Sequence, residues 1–184
     1  MTTANKLTIM RIALIPVFLV VLYLDFAGAR WWALGIFIVA CLTDFVDGYI
    51  ARHYNQITNF GKFMDPLADK MLVMAAMCYF VEYGQMPGWC LAIVLLREFA
   101  VSGMRLVAVE QGRVIAAGKL GKIKTSLQMV TLVLYLLSSC GATLFAPVAE
   151  IMMWAAVLMT VWSGVDYFVK NREVLHDGGS KPGV

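Results

Sequence analysis

Four aspartates carry most of the chemistry that this 184-residue sequence can perform. They stand in Asp44-Phe-Val-Asp47-Gly48-Tyr-Ile-Ala51-Arg52 and, eight residues on, in Gly61-Lys62-Phe-Met-Asp65-Pro-Leu-Ala-Asp69-Lys70. On helices the first pair is spaced i,i+3 and the second i,i+4, so each pair projects from one face, and the short connection brings the two faces together. Four like charges beside apolar neighbours repel one another, and the carboxyl end of the first helix adds the negative pole of its dipole. A hard divalent cation offsets that charge best, because Mg²⁺ or Mn²⁺ takes carboxylate oxygens and shares them with a substrate phosphate. The pattern therefore predicts a metal site, with two cations, built from these carboxylates. Simple pairing with Arg52, Lys62 and Lys70 would account for one or two aspartates, but not for four on two facing pairs. Gly48, Ala51 and Gly61 beside them are small and leave room for a bulky ligand.

The elements that must position these groups follow from composition. Hydrophobic residues make up 61% of the chain and charged ones 15%, against about 25% charged in an ordinary soluble domain, and the mean hydropathy is +0.76. A soluble enzyme is excluded on these grounds, and the chemistry belongs in or against a bilayer. The fold predicted is all-α: a polytopic membrane protein forming a single domain over 1–184, with spans at 8–24, 31–52, 62–83, 88–109, 120–145 and 148–169 and a flexible tail at 176–184. At roughly 20 residues per span, six spans leave no length for an extramembrane domain. Only Thr125 to Ala149 is an unbroken uncharged run of full length; elsewhere charges interrupt the apolar runs, as they would where functional polar groups enter the membrane. Turn signals fit these breaks: Gly28, Pro87-Gly88, Gly118 to Gly121, and Pro147.

Thirteen of the 15 Lys and Arg residues, Arg11, Lys70 and Lys124 among them, fall on the side of the aspartates, with Arg30 on the other and Arg97 inside a span. The positive-inside rule then puts both termini and the aspartate motif in the cytoplasm, in a multi-pass protein of the inner (cytoplasmic) membrane. Trp31, Trp32, Trp89 and Trp154 fall at outer ends, as an interfacial aromatic belt requires; Trp162 does not. Lys6, Arg11, an apolar stretch and Ala27-Gly28-Ala29 also mimic a secretory signal, but the preferred reading keeps this segment as the first span. The net charge of +3 gives no reason to expect a nucleic-acid partner, and the four scattered cysteines lack any zinc or disulfide spacing.

The complete pattern, Asp44-x2-Asp47-Gly48-x2-Ala51-Arg52-x8-Gly61-x3-Asp65-x3-Asp69, resembles the signature of the CDP-alcohol phosphotransferases, with every fixed position filled. The resemblance implies a six-helix membrane enzyme, usually a homodimer, that moves a phosphatidyl group from CDP-diacylglycerol to an alcohol and releases CMP. Carried over by position, it implies metal ligation by Asp44, Asp47 and Asp65, with Asp69 as the general base, itself within reach of the metals. It also implies a CDP site bordered by Asp44, Gly48, Ala51, Arg52 and Gly61. Displacement at phosphorus has matching needs, namely neutralised pyrophosphate charge and a base near the incoming hydroxyl.

The acceptor alcohol is a separate question. Arg97 lies mid-span with Arg105 eight residues on, and a buried arginine is costly unless it meets an anion. With Lys119, Lys122 and Lys124 they suggest an anion pocket, although the lysines also suit an ordinary cytoplasmic loop. Asn5-x-Leu7-Thr8-x2-Arg11-x3-Ile15-Pro16, Arg97-Glu98 and Leu120-Gly121-Lys122-Ile-Lys124-Thr125 resemble the bacterial phosphatidylglycerophosphate synthases. That resemblance favours sn-glycerol 3-phosphate as acceptor, held through its phosphate by Arg97, Arg105 and Lys122, in phosphatidylglycerol biosynthesis. Two alternatives stay open: phosphatidylglycerol as acceptor, as in the cardiolipin synthases of this family, and a metal-ion transporter. The transporter needs acidic residues through the membrane depth, where the outer rim offers only Asp25, Glu82 and Glu150. Glu98 could orient Arg105 or pair elsewhere, Asp166 and Lys170 are spaced to pair with each other, and His53 reads as a loop residue.

Overall fold

The computed structural model describes residues 3–24, 26–53, 59–113, 115 and 118–176, with the side chains of 9–24, 26–43, 68, 70–113, 115 and 118–174. Among these it is all-helical. Six long helices follow one another: α1 (Thr3–Tyr23), α2 (Ala29–His53), α3 (Asn59–Glu82), α4 (Gly88–Glu110), α5 (Lys119–Ser139) and α6 (Ala146–Lys170). A 3₁₀ turn, Thr143–Phe145, leads into α6, and a single-turn helix, α7 (Glu173–His176), follows it. Each predicted span corresponds to one long helix.

The helix ends are set by local chemistry. After α3, Gly84 takes φ 67° while its N–H donates to Val81 O and that of Gln85 donates to Phe80 O. This is the paired 5→2 and 6→1 closure that only a residue tolerant of left-handed backbone permits cheaply. The fifth helix is shorter than the sequence predicts. It stops at Ser139 because Gly141, at φ 97°, reverses the chain before the 3₁₀ turn.

One continuous core draws on all six helices. It includes Phe18, Phe37, Phe80, Cys90, Leu136 and Met153, with Phe18 and Phe37 ring centroids 5.7 Å apart and those of Phe80 and Tyr135 5.1 Å apart. α1 packs on α2 and α3, α5 on α6 and α2, and α4 on α6 and α3. Ile15, Phe18 and Leu22, spaced to share one helical stripe, are all buried, so the segment that mimics a signal is a structural helix of the bundle. Arg11, counted with the charges on the side of the aspartates, is fully buried in α1.

The outer surface is apolar. Leu96, Phe99 and Leu106 of α4 and Leu158, Trp162 and Val165 of α6 are all exposed, whereas Arg97 and Glu98 of the same α4 turn inward. Trp162, which does not fit the aromatic belt, belongs to this outward apolar surface. Two segments, Lys119–Ser139 and Thr143–Lys170, are long and apolar enough to cross a membrane, and Ile9–Tyr23 and Ala29–Thr43 are shorter apolar stretches.

Candidate active site

α2 runs without a break through Asp44, Asp47, Gly48, Ala51 and Arg52, and α3 through Gly61, Asp65 and Asp69. The expected two helical pairs, separated by a short connection, are therefore the local structure of the motif. The side chains of these eight residues, and that of His53, lie outside the described residues. Among the described ones no cluster of His, Cys, Asp and Glu could hold a metal ion.

Beyond Asp69 the description resumes with Lys70, and here the structure shows a site. A cavity of about 540 Å³ opens between α3, α4, α5 and α6, lined by Lys70, Arg97, Glu98, Arg105, Lys122, Lys124, Gln128, Asp166 and Tyr167, among others. It brings together all three residues assigned to the acceptor phosphate, Arg97, Arg105 and Lys122, although they come from two helices. Lys119 is not in it. That residue lines an adjoining cavity of about 570 Å³ with Arg113, Lys170 and Glu173.

Each cation is held in its own way. Arg97 threads between two helices at points where only hydrogen stands in for a side chain. A Cβ on Gly164 would meet Arg97 Cγ at 3.2 Å, and one on Gly121 would meet Arg97 Nη2 at 3.2 Å. Small residues in α5 and α6 are thus what admit an arginine to the interior. For Gly164, a small residue that could have served contact between copies of the chain, the close neighbour is internal. Arg105 donates from Nε to the Tyr167 hydroxyl at 3.2 Å and lies 5.6 Å from that ring's centroid. This contact leaves the guanidinium Nη groups to meet an anion in two-pronged fashion. Two buried donors, Arg97 Nε and Gln128 Nε2, have no partner among the described residues, as expected where a ligand supplies acceptors.

Glu98 settles a question that the sequence left open. It does not pair with Arg105. One carboxylate oxygen accepts from Arg97 Nη1 at 3.0 Å and from Lys124 Nζ, and the other lies 3.2 Å from Lys70 Nζ. Lys70 also donates to Ser102 Oγ at 2.7 Å. A buried carboxylate is tolerable only with such partners, and these three come from α3, α4 and α5. Because Lys70 follows Asp69 directly, the same contact ties the end of the aspartate motif to the basic cavity. Asp166 and Lys170 pair with each other at 2.8 Å, as their spacing predicts.

Sequence reasoning missed Tyr167 and Gln128. Neither spacing nor charge marks them, since each becomes polar machinery only when its helix turns it toward Arg105 or into the cavity.

Comparison with known proteins decides the family. The family described as CDP-alcohol phosphatidyltransferase matches residues 1–162. The chain belongs to this family. Among CDP-alcohol phosphatidyltransferase relatives, a Bacillus subtilis protein named CDP-diacylglycerol–glycerol-3-phosphate 3-phosphatidyltransferase is 44% identical, covering 93% of this chain and 95% of the relative. A Mycobacterium tuberculosis protein named probable phosphatidylglycerophosphate synthase is 41% identical over 91% of this chain and 80% of its own. A Rickettsia bellii protein carrying the same name as the Bacillus one is 39% identical over 89% and 92%. The match to the family covers both the aspartate motif of α2 and α3 and the basic residues of α4 and α5.

Proposed function

We propose that this chain transfers the phosphatidyl group of CDP-diacylglycerol to sn-glycerol 3-phosphate, giving phosphatidylglycerol phosphate and CMP. The observation that carries the acceptor assignment is the basic cavity. Arg97, Arg105 and Lys122 line one space of about 540 Å³, larger than a small phosphorylated alcohol needs and walled by the residue that follows Asp69. The names of the relatives, which specify the same donor and acceptor, support the reading.

In the reaction, the sn-1 oxygen of glycerol 3-phosphate attacks the β-phosphorus of CDP-diacylglycerol, the pyrophosphate P–O bond breaks, and CMP leaves. Asp69 takes the proton of the attacking hydroxyl. Arg97, Arg105 and Lys122 hold the acceptor phosphate, which fixes the hydroxyl relative to that base, and such fixing lowers a barrier through orientation alone. Gly48, Ala51, Arg52 and Gly61 border the CDP moiety together with Asp44. A donor set of four carboxylates with no thiolate or imidazole suits Mg²⁺ or Mn²⁺. Asp44, Asp47, Asp65 and Asp69 would hold two such ions, which when bound neutralise charge on the pyrophosphate.

The reading includes six membrane spans, with the site facing the cytoplasm at the inner membrane. Its support is the inside-out polarity of α4, where Leu96, Phe99 and Leu106 face outward and Arg97 and Glu98 inward. In water that arrangement would expose the apolar side and bury the charges, the reverse of what solvation favours. A homodimer is part of the proposal on the family resemblance.

The test is CMP release by detergent-purified protein given CDP-diacylglycerol and Mg²⁺, with glycerol 3-phosphate, inositol phosphate, serine and phosphatidylglycerol supplied separately. Release with glycerol 3-phosphate alone is expected. Release with phosphatidylglycerol alone would move the assignment to a cardiolipin-type acceptor, and metal uptake into sealed vesicles without CMP release would revive the transporter.

A further inference from the structure

The basic cavity has one feature that substrate capture does not explain. Five cations line it, yet three of them, Lys70, Arg97 and Lys124, already share the carboxylate of Glu98. Glu98 is 8% exposed and sits on α4 immediately beside Arg97, so it has no route out of the cavity wall when an anion arrives. A site evolved only to grip a phosphate would not keep a fixed negative charge among its donors.

The transfer proposed above supplies a reason. It forms a bond at the sn-1 oxygen of the acceptor and breaks one to CMP, so the acceptor's own phosphomonoester passes unchanged into the product. Whatever holds the substrate phosphate holds the product phosphate as well. Beyond the placing of the hydroxyl, binding of that uniform kind adds nothing to the chemical step and, when tight, retards release.

We propose that Glu98 is a built-in counter-ion that lowers the anion affinity of the cavity so that the phosphorylated product can leave. The inference rests on the function proposed above. A rival role, in which Glu98 simply aims Arg97 at the phosphate, predicts the opposite sign, because its removal would then loosen Arg97 and weaken binding. Geometry favours the counter-ion. Arg97 is confined independently by the close approach of Gly121 and Gly164, each placing a potential Cβ 3.2 Å from it, so its course is kept without Glu98. Repulsion between Glu98 and a bound phosphate acts over a few ångströms in a poorly screened interior.

The probe is inorganic phosphate, and the readout is its Kd for the full-length detergent-purified protein, from the dependence of Tm on phosphate concentration. Glu98→Gln should bind phosphate at least tenfold more tightly than the unmodified protein. In steady state it should lower both the KM for glycerol 3-phosphate and kcat, with a burst of CMP in the first turnover. The double variant Glu98→Gln/Lys124→Gln removes a buried pair together and leaves the cavity's net charge unchanged. Its phosphate Kd should stay within threefold of the unmodified protein, and it decides the matter should the single variant fail to fold. An unchanged or weaker phosphate Kd in Glu98→Gln, or a tenfold weaker one in the double variant, would overturn the proposal. Failure of the functional reading looks different: the unmodified protein would then release no CMP with glycerol 3-phosphate, whatever the phosphate comparison gave.

Discussion

Replacing Gly164 by alanine should separate stability from acceptor binding. A Cβ at this position would lie 3.2 Å from Arg97 Cγ, whereas carbon atoms pack comfortably at about 3.5–4.0 Å. The arginine stem must therefore retreat by roughly 0.3–0.8 Å. Its far end has little slack, since Nη1 is 3.0 Å from Glu98 and Nη2 runs close past Gly121. If a misplacement of about 1 Å costs about 100-fold, half of that costs about tenfold, or about 1.4 kcal/mol. Stability should move little, because alanine in a helix interior gains about 0.5–1 kcal/mol over glycine and so offsets the crowding. The assay is steady-state CMP release alongside a thermal melt. The KM for glycerol 3-phosphate should rise about tenfold with that for CDP-diacylglycerol within about twofold and Tm nearly unchanged. Gly35→Ala in α2, where an added Cβ meets nothing within 4 Å, is the control, and should match or exceed the unmodified Tm with an unaltered acceptor KM. An unaltered acceptor KM in Gly164→Ala as well would refute the claim that Arg97 is held for the acceptor.

Other outcomes follow from the same assignments. Asp69→Asn should keep the KM for CDP-diacylglycerol within about threefold while kcat falls at least about 100-fold, the usual worth of a general base; near-normal turnover would remove Asp69 from that role. Arg105→Ala should raise the glycerol 3-phosphate KM by about ten- to 100-fold, the scale of a lost charged hydrogen bond of about 1.5–3 kcal/mol. Tyr167→Phe, which removes only the acceptor for Arg105 Nε, should raise it a few-fold, consistent with about 0.5–1 kcal/mol, and a larger effect than that of Arg105→Ala would show that Tyr167 acts otherwise. Removing divalent cations with a chelator should abolish CMP release, and added Mg²⁺ should restore it without refolding; release that persists in the chelator would sink the metal assignment.

The fold was legible because local signals mark several helix boundaries. Gly28 before α2, Pro87 before α4, Gly118 before α5 and Pro147 at the start of α6 all mark real boundaries. The one sizeable misjudgement, a fifth span running to 145, came from an apolar stretch that continues past the point where Gly141 turns the chain. The site was legible at two levels. Arg97 and Arg105 stood out because charge inside an apolar run demands a partner, and Lys122 through the family resemblance at the start of the fifth span; the structure gathers all three in one cavity. Their surroundings were not legible. Gly164 admits Arg97, Tyr167 steadies Arg105, and Lys70 reaches Glu98 across helices, and no spacing within a single helix encodes contacts made between helices.

The same interhelical contacts change what the charges say about orientation. Positive-inside counting treats every lysine and arginine as loop charge, yet Arg11 and Lys124 are buried, and Lys70, Arg105 and Lys122 line the cavity. These five are enclosed by the protein's own interior or line its basic cavity. Setting them aside leaves eight of the thirteen that the sequence assigns to the side of the aspartates, against Arg30 alone on the other. The proposed orientation rests on these eight residues. Of the five set aside only Arg105 stands on α4, a helix that with Arg97, Glu98 and Glu110 as well carries too much charge for a span judged by hydropathy. Arg97, Glu98 and Arg105 line the cavity while Leu96, Phe99 and Leu106 are exposed, so in the proposed reading it is the direction of each side chain, more than the composition of the helix, that reconciles a membrane helix with a site for a phosphorylated, water-soluble substrate.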